Sequence, residues 1–251
     1  MRTTVTRAFF AMIALSACAM SPAFAQVHRA QGFEASDPNN FTFTGDAGKK
    51  GTYQTQNPSE GSQQFLLTTI GMSSNEDGAT SQSGSFAVTN AALQTFFNGI
   101  GLGGFEGSGI LVPFTVGAGD TGVSFDFDFL SNEPFSMPSR NDFAFAAIFN
   151  GTSLVSNSFT NLAQASTATF GLFDPQTPFI FHTGYQPENL SFTLAPGTYF
   201  LGIGVEDFGS FDHASGLLID NIQVVPEPSV VALALAGAGL LVAARRRIKS
   251  A

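Results

Sequence analysis

Residues 123–130 read Val123-Ser124-Phe125-Asp126-Phe127-Asp128-Phe129-Leu130, an almost unbroken apolar and polar alternation. A strand turns successive side chains to opposite faces, so this run sets Val123, Phe125, Phe127 and Phe129 on one side and Asp126 and Asp128 on the other. A helix would scatter the same residues around its circumference. The chain must therefore build a sheet with one buried face, and the face carrying the two aspartates is expected to stay wet. Further strand candidates lie at 41–44, 63–70, 110–116, 143–149, 190–194, 198–205 and 217–224, separated by clusters of Gly, Pro, Asn and Ser. Strands spaced in this way predict an all-β fold, a sandwich. One short helix is expected at 91–97, capped by Thr89 or Asn90 and ended by Gly99. No fixed-period repeat is present, which argues against a solenoid or propeller. Pro175, Pro178 and Pro187 mark a long surface loop.

The two ends follow different rules. Residues 1–25 have the anatomy of a secretory signal peptide: Arg2 and Arg7, an apolar centre at 8–20, and the small-x-small site Ala23-Phe24-Ala25. Signal peptidase would cut there, starting the mature chain near Gln26. Inside the same segment Leu15-Ser16-Ala17-Cys18 resembles a lipobox, whose cysteine would instead be lipidated. At the other end Val225-Pro226-Glu227-Pro228 precedes an apolar run at 230–244 and then Arg245-Arg246-Arg247-Ile248-Lys249. As a helix that run would be roughly 22 Å long against a hydrocarbon core of about 30 Å, a marginal span. Pro226 and Pro228 stop a helix from running back into the preceding region. Arg245, Arg246, Arg247 and Lys249 hold the end cytoplasmic, with everything before Pro226 outside.

A Pro-Glu-Pro break, a short hydrophobic span and a basic stop, in that order, resemble the PEP-CTERM sorting signal of Gram-negative envelope proteins. The resemblance implies that an exosortase, a membrane-embedded cysteine peptidase, recognises Pro226-Glu227-Pro228, removes the span and passes the cargo onward. The chain would then be exported, transiently anchored in the inner membrane, and finally at the cell surface or extracellular. An ordinary C-terminal anchor that is never cut has the same hydropathy and stays open. An ice-binding label attached to C-terminal motifs of this type describes the tail: Phe41-Thr42-Phe43-Thr44 is too short for an ordered threonine ladder. The organisation expected is signal peptide 1–25, secreted domain 26–225 and sorting signal 226–251.

Between its two ends the chain carries four Lys and Arg against eighteen Asp and Glu, a net charge of −14. Such a surface repels nucleic acid and anionic lipid and attracts cations. Cys18 is the only cysteine, so no disulfide can staple the domain. Stability must come from a core, and with 28 Phe, three Tyr and no Trp in the chain that core will be built on phenylalanine.

Three stretches are candidates for chemistry. Gly32-Phe33-Glu34 and Ile219-Asp220-Asn221-Ile222 look like the opening and closing strands of jelly-roll carbohydrate-binding modules. That resemblance implies two neighbouring strands and a structural calcium held by Glu34 and Asp220, to which Asp46 could add a ligand. The alternative is that these are solvated acids at strand ends. Next, Phe129-Leu130-Ser131-Asn132-Glu133 followed by Asn141-Asp142-Phe143-Ala144-Phe145 resembles a pattern of bacterial choice-of-anchor surface domains, which implies a β-sandwich over roughly residues 105 to 225. Two strands joined there could bring Glu133 and Asp142 together, and carboxylates so close need a cation, calcium outside the cell, or a proton. A hairpin whose Asn and Asp side chains bond their own turn is the alternative. Last, Glu206-Asp207-Phe208-Gly209-Ser210-Phe211-Asp212-His213 sets a histidine among acids, but His28 and His182 offer no metal-binding spacing to complete it. Gly107-Ser108-Gly109 lacks the five-residue nucleophile elbow, and nothing selects a glycosidase pair among the acids.

The expectation is therefore an all-β, jelly-roll-like β-sandwich with one short helix, an N-terminal signal peptide and a C-terminal hydrophobic helix. It is not read as an enzyme. Two readings of the cargo stay open: a matrix protein associated with exopolysaccharide in biofilm, and a carbohydrate-binding module. Missing Trp and scattered Tyr53, Tyr185 and Tyr199 count against the second.

Overall fold

The computed structural model describes residues 28–38, 40–69, 106–133, 141–174, 178–208 and 213–226. These form two antiparallel sheets, with no helix among the described residues. The first sheet runs, in spatial order, β10 (Gly171–Leu172), β11 (Phe181–His182), β6 (Asp120–Ser131), β14 (Ser215–Pro226), β4 (Gln64–Thr68) and β3 (Asp46–Lys50). Two more strands join it, β12 (Gln186–Ser191) on β6 and β1 (His28–Gln31) on β14. The second sheet runs β2 (Thr42–Thr44), β5 (Glu106–Val116), β13 (Gly197–Asp207), β7 (Phe143–Asn150) and β8 (Ser153–Leu154), with β9 (Thr160–Gln164) also on β7. From β4 onward the longer strands change sheet at each step: β4, β6, β12 and β14 belong to the first, β5, β7 and β13 to the second. That winding is jelly-roll-like, and the all-β sandwich expected from the sequence is what forms.

The core between the sheets is divided by residue size. The first sheet and the segment after β1 contribute Phe33, Phe65, Phe125, Phe127 and Phe129; the second contributes Ala144, Ala146, Ile148, Ile110, Val112, Leu201, Ile203 and Val205. Large rings on one wall interlock with small and branched side chains on the other, which is how two sheets reach interior packing density. Phe33 stacks on Phe65 at 5.1 Å between ring centroids, and Phe41 meets both edge-on.

Two expectations are corrected. The aspartate face of β6 is wet only in part: Asp126 is half-buried, but Asp128 is fully buried, and so are Leu130, Leu66 and Leu218 on the same face. Tyr53, Phe173 and Phe179 cover it, forming a third layer outside the first sheet. The region of Pro175, Pro178 and Pro187 is not simply a surface loop. It includes β11 and β12, Phe173 and Phe179 are buried there, and Pro187 pairs with Asp126 within β12. An outer strand tolerates a proline because one of its sides has no ladder partner to lose. The strand expected at 190–194 begins earlier, at Gln186. The helix expected at 91–97 lies outside the described residues.

The second sheet is also covered on its outer face, where Leu111, Phe143, Phe145, Ala147 and Phe149 are buried. Gly202 and Gly204 of β13 make this possible. A Cβ on Gly204 would stand 2.5 Å from Phe145 Cζ and 3.0 Å from the Ser108 carbonyl oxygen, and one on Gly202 2.6 Å from Phe149 Cε2. Gly204→Ala should destabilise the domain by about 1–3 kcal/mol through overpacking, lowering its melting temperature by roughly 3–10 °C. A melt unchanged by this substitution would show that the Phe145 ring does not lie on the glycine.

Candidate functional site

β1 pairs with β14, His28 opposite Val224, so the opening and closing strands do lie side by side. Glu34 follows β1 and is half-buried. Its carboxylate accepts the Ser62 N–H at 2.7 Å, the Ser62 hydroxyl at 2.7 Å and the Gln63 N–H at 2.9 Å. Those bonds, the Ser62 hydroxyl first, hold its pKa below the usual carboxylate value. Asp220 of β14 accepts the Asn221 N–H at 2.7 Å, the Glu60 N–H at 2.8 Å and the Ser59 hydroxyl at 3.3 Å. Arg29 adds an ion pair to Glu60 at 2.5 Å. Glu34 and Asp220 thus grip one loop, Ser59 to Gln63, from two sides with protein donors. Asp46 lies elsewhere: its Oδ2 accepts the Thr68 hydroxyl at 2.6 Å, and Thr68 is four residues along β4 from Gln64, roughly 13 Å away. The structure does not bring Glu34, Asp46 and Asp220 together.

It does bring Glu133 and Asp142 together. The Asp142 N–H donates to Glu133 Oε2 at 3.1 Å, and Asp142 Oδ1 accepts the Phe208 N–H at 3.0 Å. Glu206 and Asp207, at the end of β13, are buried as well. Burial, then the charges of Asp207 and Glu133, push the Asp142 pKa strongly upward. The Ser215 hydroxyl lies nearby but donates to Ser131 Oγ at 3.1 Å, and Asp142 Oδ2 has no hydrogen-bond partner. Such a site takes up a proton or a cation. Among the described residues, no group of three or more His, Cys, Asp or Glu side chains is arranged to hold a metal ion. His213 is half-buried, and Asp212 lies outside the described residues.

Sequence reasoning missed a third site. Asp128 accepts the Thr183 hydroxyl at 3.1 Å, and burial raises its pKa to about 7. His182 Nδ1 is 3.7 Å from Asp128 Oδ2 and 3.1 Å from Gln56 Nε2. In the neutral ring Nδ1 accepts from that amide, and burial favours the neutral form by lowering the pKa of His182. The Tyr185 hydroxyl donates to Gln64 Oε1, and burial pushes its pKa upward. These partners are more than fifty residues apart in the chain, with no local pattern to announce them.

Of the sorting residues, Pro226 is the last of β14. Glu227, Pro228, Arg245, Arg246, Arg247 and Lys249, like Ala23 and Ala25, lie outside the described residues.

The PEP-CTERM protein-sorting motif matches residues 224–247. The chain therefore carries a signal for export, sorting through the membrane and processing by an exosortase. No curated protein resembles the chain closely enough to count as a match. Among solved structures it is similar to TmCBM61, solved with β-1,4-galactotriose, at a TM-score of 0.40 and 10% identity, covering 80% of this chain and 99% of that one. The mannan-recognising module TmCBM27 gives a TM-score of 0.40 and 14% identity over 80% and 98% of the two chains. The K2 adhesin domain of Lys-gingipain gives 0.37 and 12% over 79% and 97%.

Proposed function

We propose that the chain is a non-catalytic surface protein, released from a transient inner-membrane anchor to associate with exopolysaccharide outside the cell. A signal peptide at 1–25, removed by signal peptidase, would start its export. The observation that carries this reading is that the sorting motif begins at residue 224, inside β14. The sandwich runs directly into the signal, so a cut at or after Pro226 frees a complete sheet, whereas a cut further upstream would take a strand with it.

Expression in a Gram-negative host with and without an exosortase tests this. With the peptidase, mass spectrometry should find protein lacking Arg245 to Lys249 at the surface or in the medium. Without it, or with Pro226→Ala and Pro228→Ala together, the full-length chain should stay in the membrane fraction. Protein that stays in the membrane fraction still ending in Ala251 with the peptidase present would overturn the reading and leave a plain anchor.

Calcium belongs to the same reading. The Glu133 and Asp142 pair fits a hard cation: one buried oxygen without a hydrogen bond, a second carboxylate beside it and further negative charge from Asp207. Glu133 and Asp142 would hold the ion, which would neutralise their charge and tie β6 to β7. Glu34, Asp46 and Asp220 do not fit a shared ion, because they do not converge and protein donors occupy them. A carbohydrate-binding role gains support from a cleft on the second sheet, taken up next.

A further inference from the structure

A cleft of about 200 Å³ opens on the outer face of the second sheet, lined by Asn141, Phe143, Phe159, Asn161, Gln164 and Phe208. Its polar wall comes from an irregularity in the pairing of β9 with β7. Phe143 stands opposite Gln164 and Ala144 opposite Ala163; Leu162 is then skipped, and Phe145 stands opposite Asn161. In an unbroken strand, residues three apart point to opposite faces. The extra residue of the bulge returns Asn161 to the face that Gln164 occupies, while Leu162 packs against the core. Two amides thus come to lie beside the outer-face rings.

Asn141 Oδ1 accepts the Ser166 N–H at 3.0 Å, and its Nδ2 donates to Gln164 Oε1 at 3.3 Å. With Oε1 taken, Gln164 presents Nε2 to a ligand. Asn161 is exposed and its side chain makes no hydrogen bond to the other described residues, which leaves its donor and its acceptor for a ligand. The apolar wall is aromatic: Phe159 stacks on the buried Phe145 ring at 6.0 Å and 27°, is 36% exposed, and Phe143 and Phe208 flank it. Among the described residues, no side chain lining the cleft is ionisable.

Aromatic rings beside uncharged amides suit a ligand with an apolar C–H face and hydroxyl edges, which is a pyranose ring. The cleft has room for about one such unit. A region of net charge −14 repels an anionic polymer, and the cleft offers no cation to offset that. We propose that this cleft binds one sugar unit of a neutral polysaccharide, Phe143, Phe159 and Phe208 packing on its C–H face and Asn161 and Gln164 bonding its hydroxyls. The assignment rests on the exopolysaccharide reading above and names its point of contact.

The test is a glycan array of neutral oligosaccharides, with alginate and hyaluronan fragments as acidic controls, probed with the full chain in mild detergent and followed by calorimetry on any hit. At least one neutral glycan should bind with sub-millimolar affinity. Asn161→Ala should weaken it about five- to tenfold, the loss of one or two hydrogen bonds, and leave the melting temperature unchanged. Gln164→Ala should act likewise, and Phe159→Ala should cost more than tenfold. An array empty of neutral hits, binding confined to acidic fragments, or a hit indifferent to both amide substitutions would overturn the assignment. The last would move the sugar elsewhere, for instance to the cavity of about 500 Å³ beside Arg29, Asn40 and Asp120. Co-purification of released protein with exopolysaccharide is read separately. If it holds while the array stays empty, the cleft is wrong and the broader reading survives; if it fails, the broader reading falls.

Discussion

Melted in mild detergent under chelating conditions, the protein should lose roughly 5–15 °C of melting temperature between pH 5 and pH 8, Asp142 contributing through the same effect as the more isolated Asp128. The folded pKa of Asp128, about 7, stands above the free value of 3.8, so the folded chain holds a proton there that the unfolded chain has released. That contribution is complete below about pH 4, declines as pH rises through 7 and is flat beyond. The full shift corresponds to about 4 kcal/mol, of which about 3 falls above pH 5, and relaxation around the charge leaves roughly 1–3 there. At 2–4 °C per kcal/mol for a domain of this size, that is a readily measured change. Asp128→Asn keeps the shape and the Thr183 contact but cannot ionise, so its profile should be distinctly flatter. Equal losses for the two proteins would remove Asp128 as a cause.

Calcium is expected to produce the second large effect. At pH 8, millimolar calcium should raise the melting temperature by roughly 5–10 °C over the chelated protein, as saturating ligand stabilises a folded state by about 2–4 kcal/mol. Because Asp142 must give up a proton to bind the ion, the gain should shrink toward pH 5. Asp142→Asn should remove the response, while Glu34→Gln should keep it. A transition indifferent to chelator at both pH values would mean that Asp142 is held by a proton alone.

Much of the sandwich was legible because its long strands announce themselves locally. β6 alternates, and β4, β5, β7, β13 and β14 are apolar runs bounded by glycine and proline. The short strands were not legible. Asp46-Ala47-Gly48-Lys49-Lys50 reads as a polar turn and becomes β3 because β4 offers it a full ladder from Asp46↔Thr68 to Lys50↔Gln64. The error over the aspartate face has the same origin: alternation shows that two faces differ but not what lies over each, and here Tyr53, Phe173 and Phe179, distant in the chain, cover much of the second. Glu133 and Asp142 could be paired from the sequence because one connection joins their strands. The Asn161 and Gln164 wall could not, since a bulge at Leu162 leaves no trace in composition.

β14 lies between β6 on one side and β4 followed by β1 on the other, and its last residue is the first proline of the sorting motif. A pull along the axis of β14 from its last residue would load that strand lengthwise, against hydrogen bonds set perpendicular to the pull, and they would have to give way together instead of one by one. Under such a load β14 would be held in shear, the geometry of a mechanical clamp.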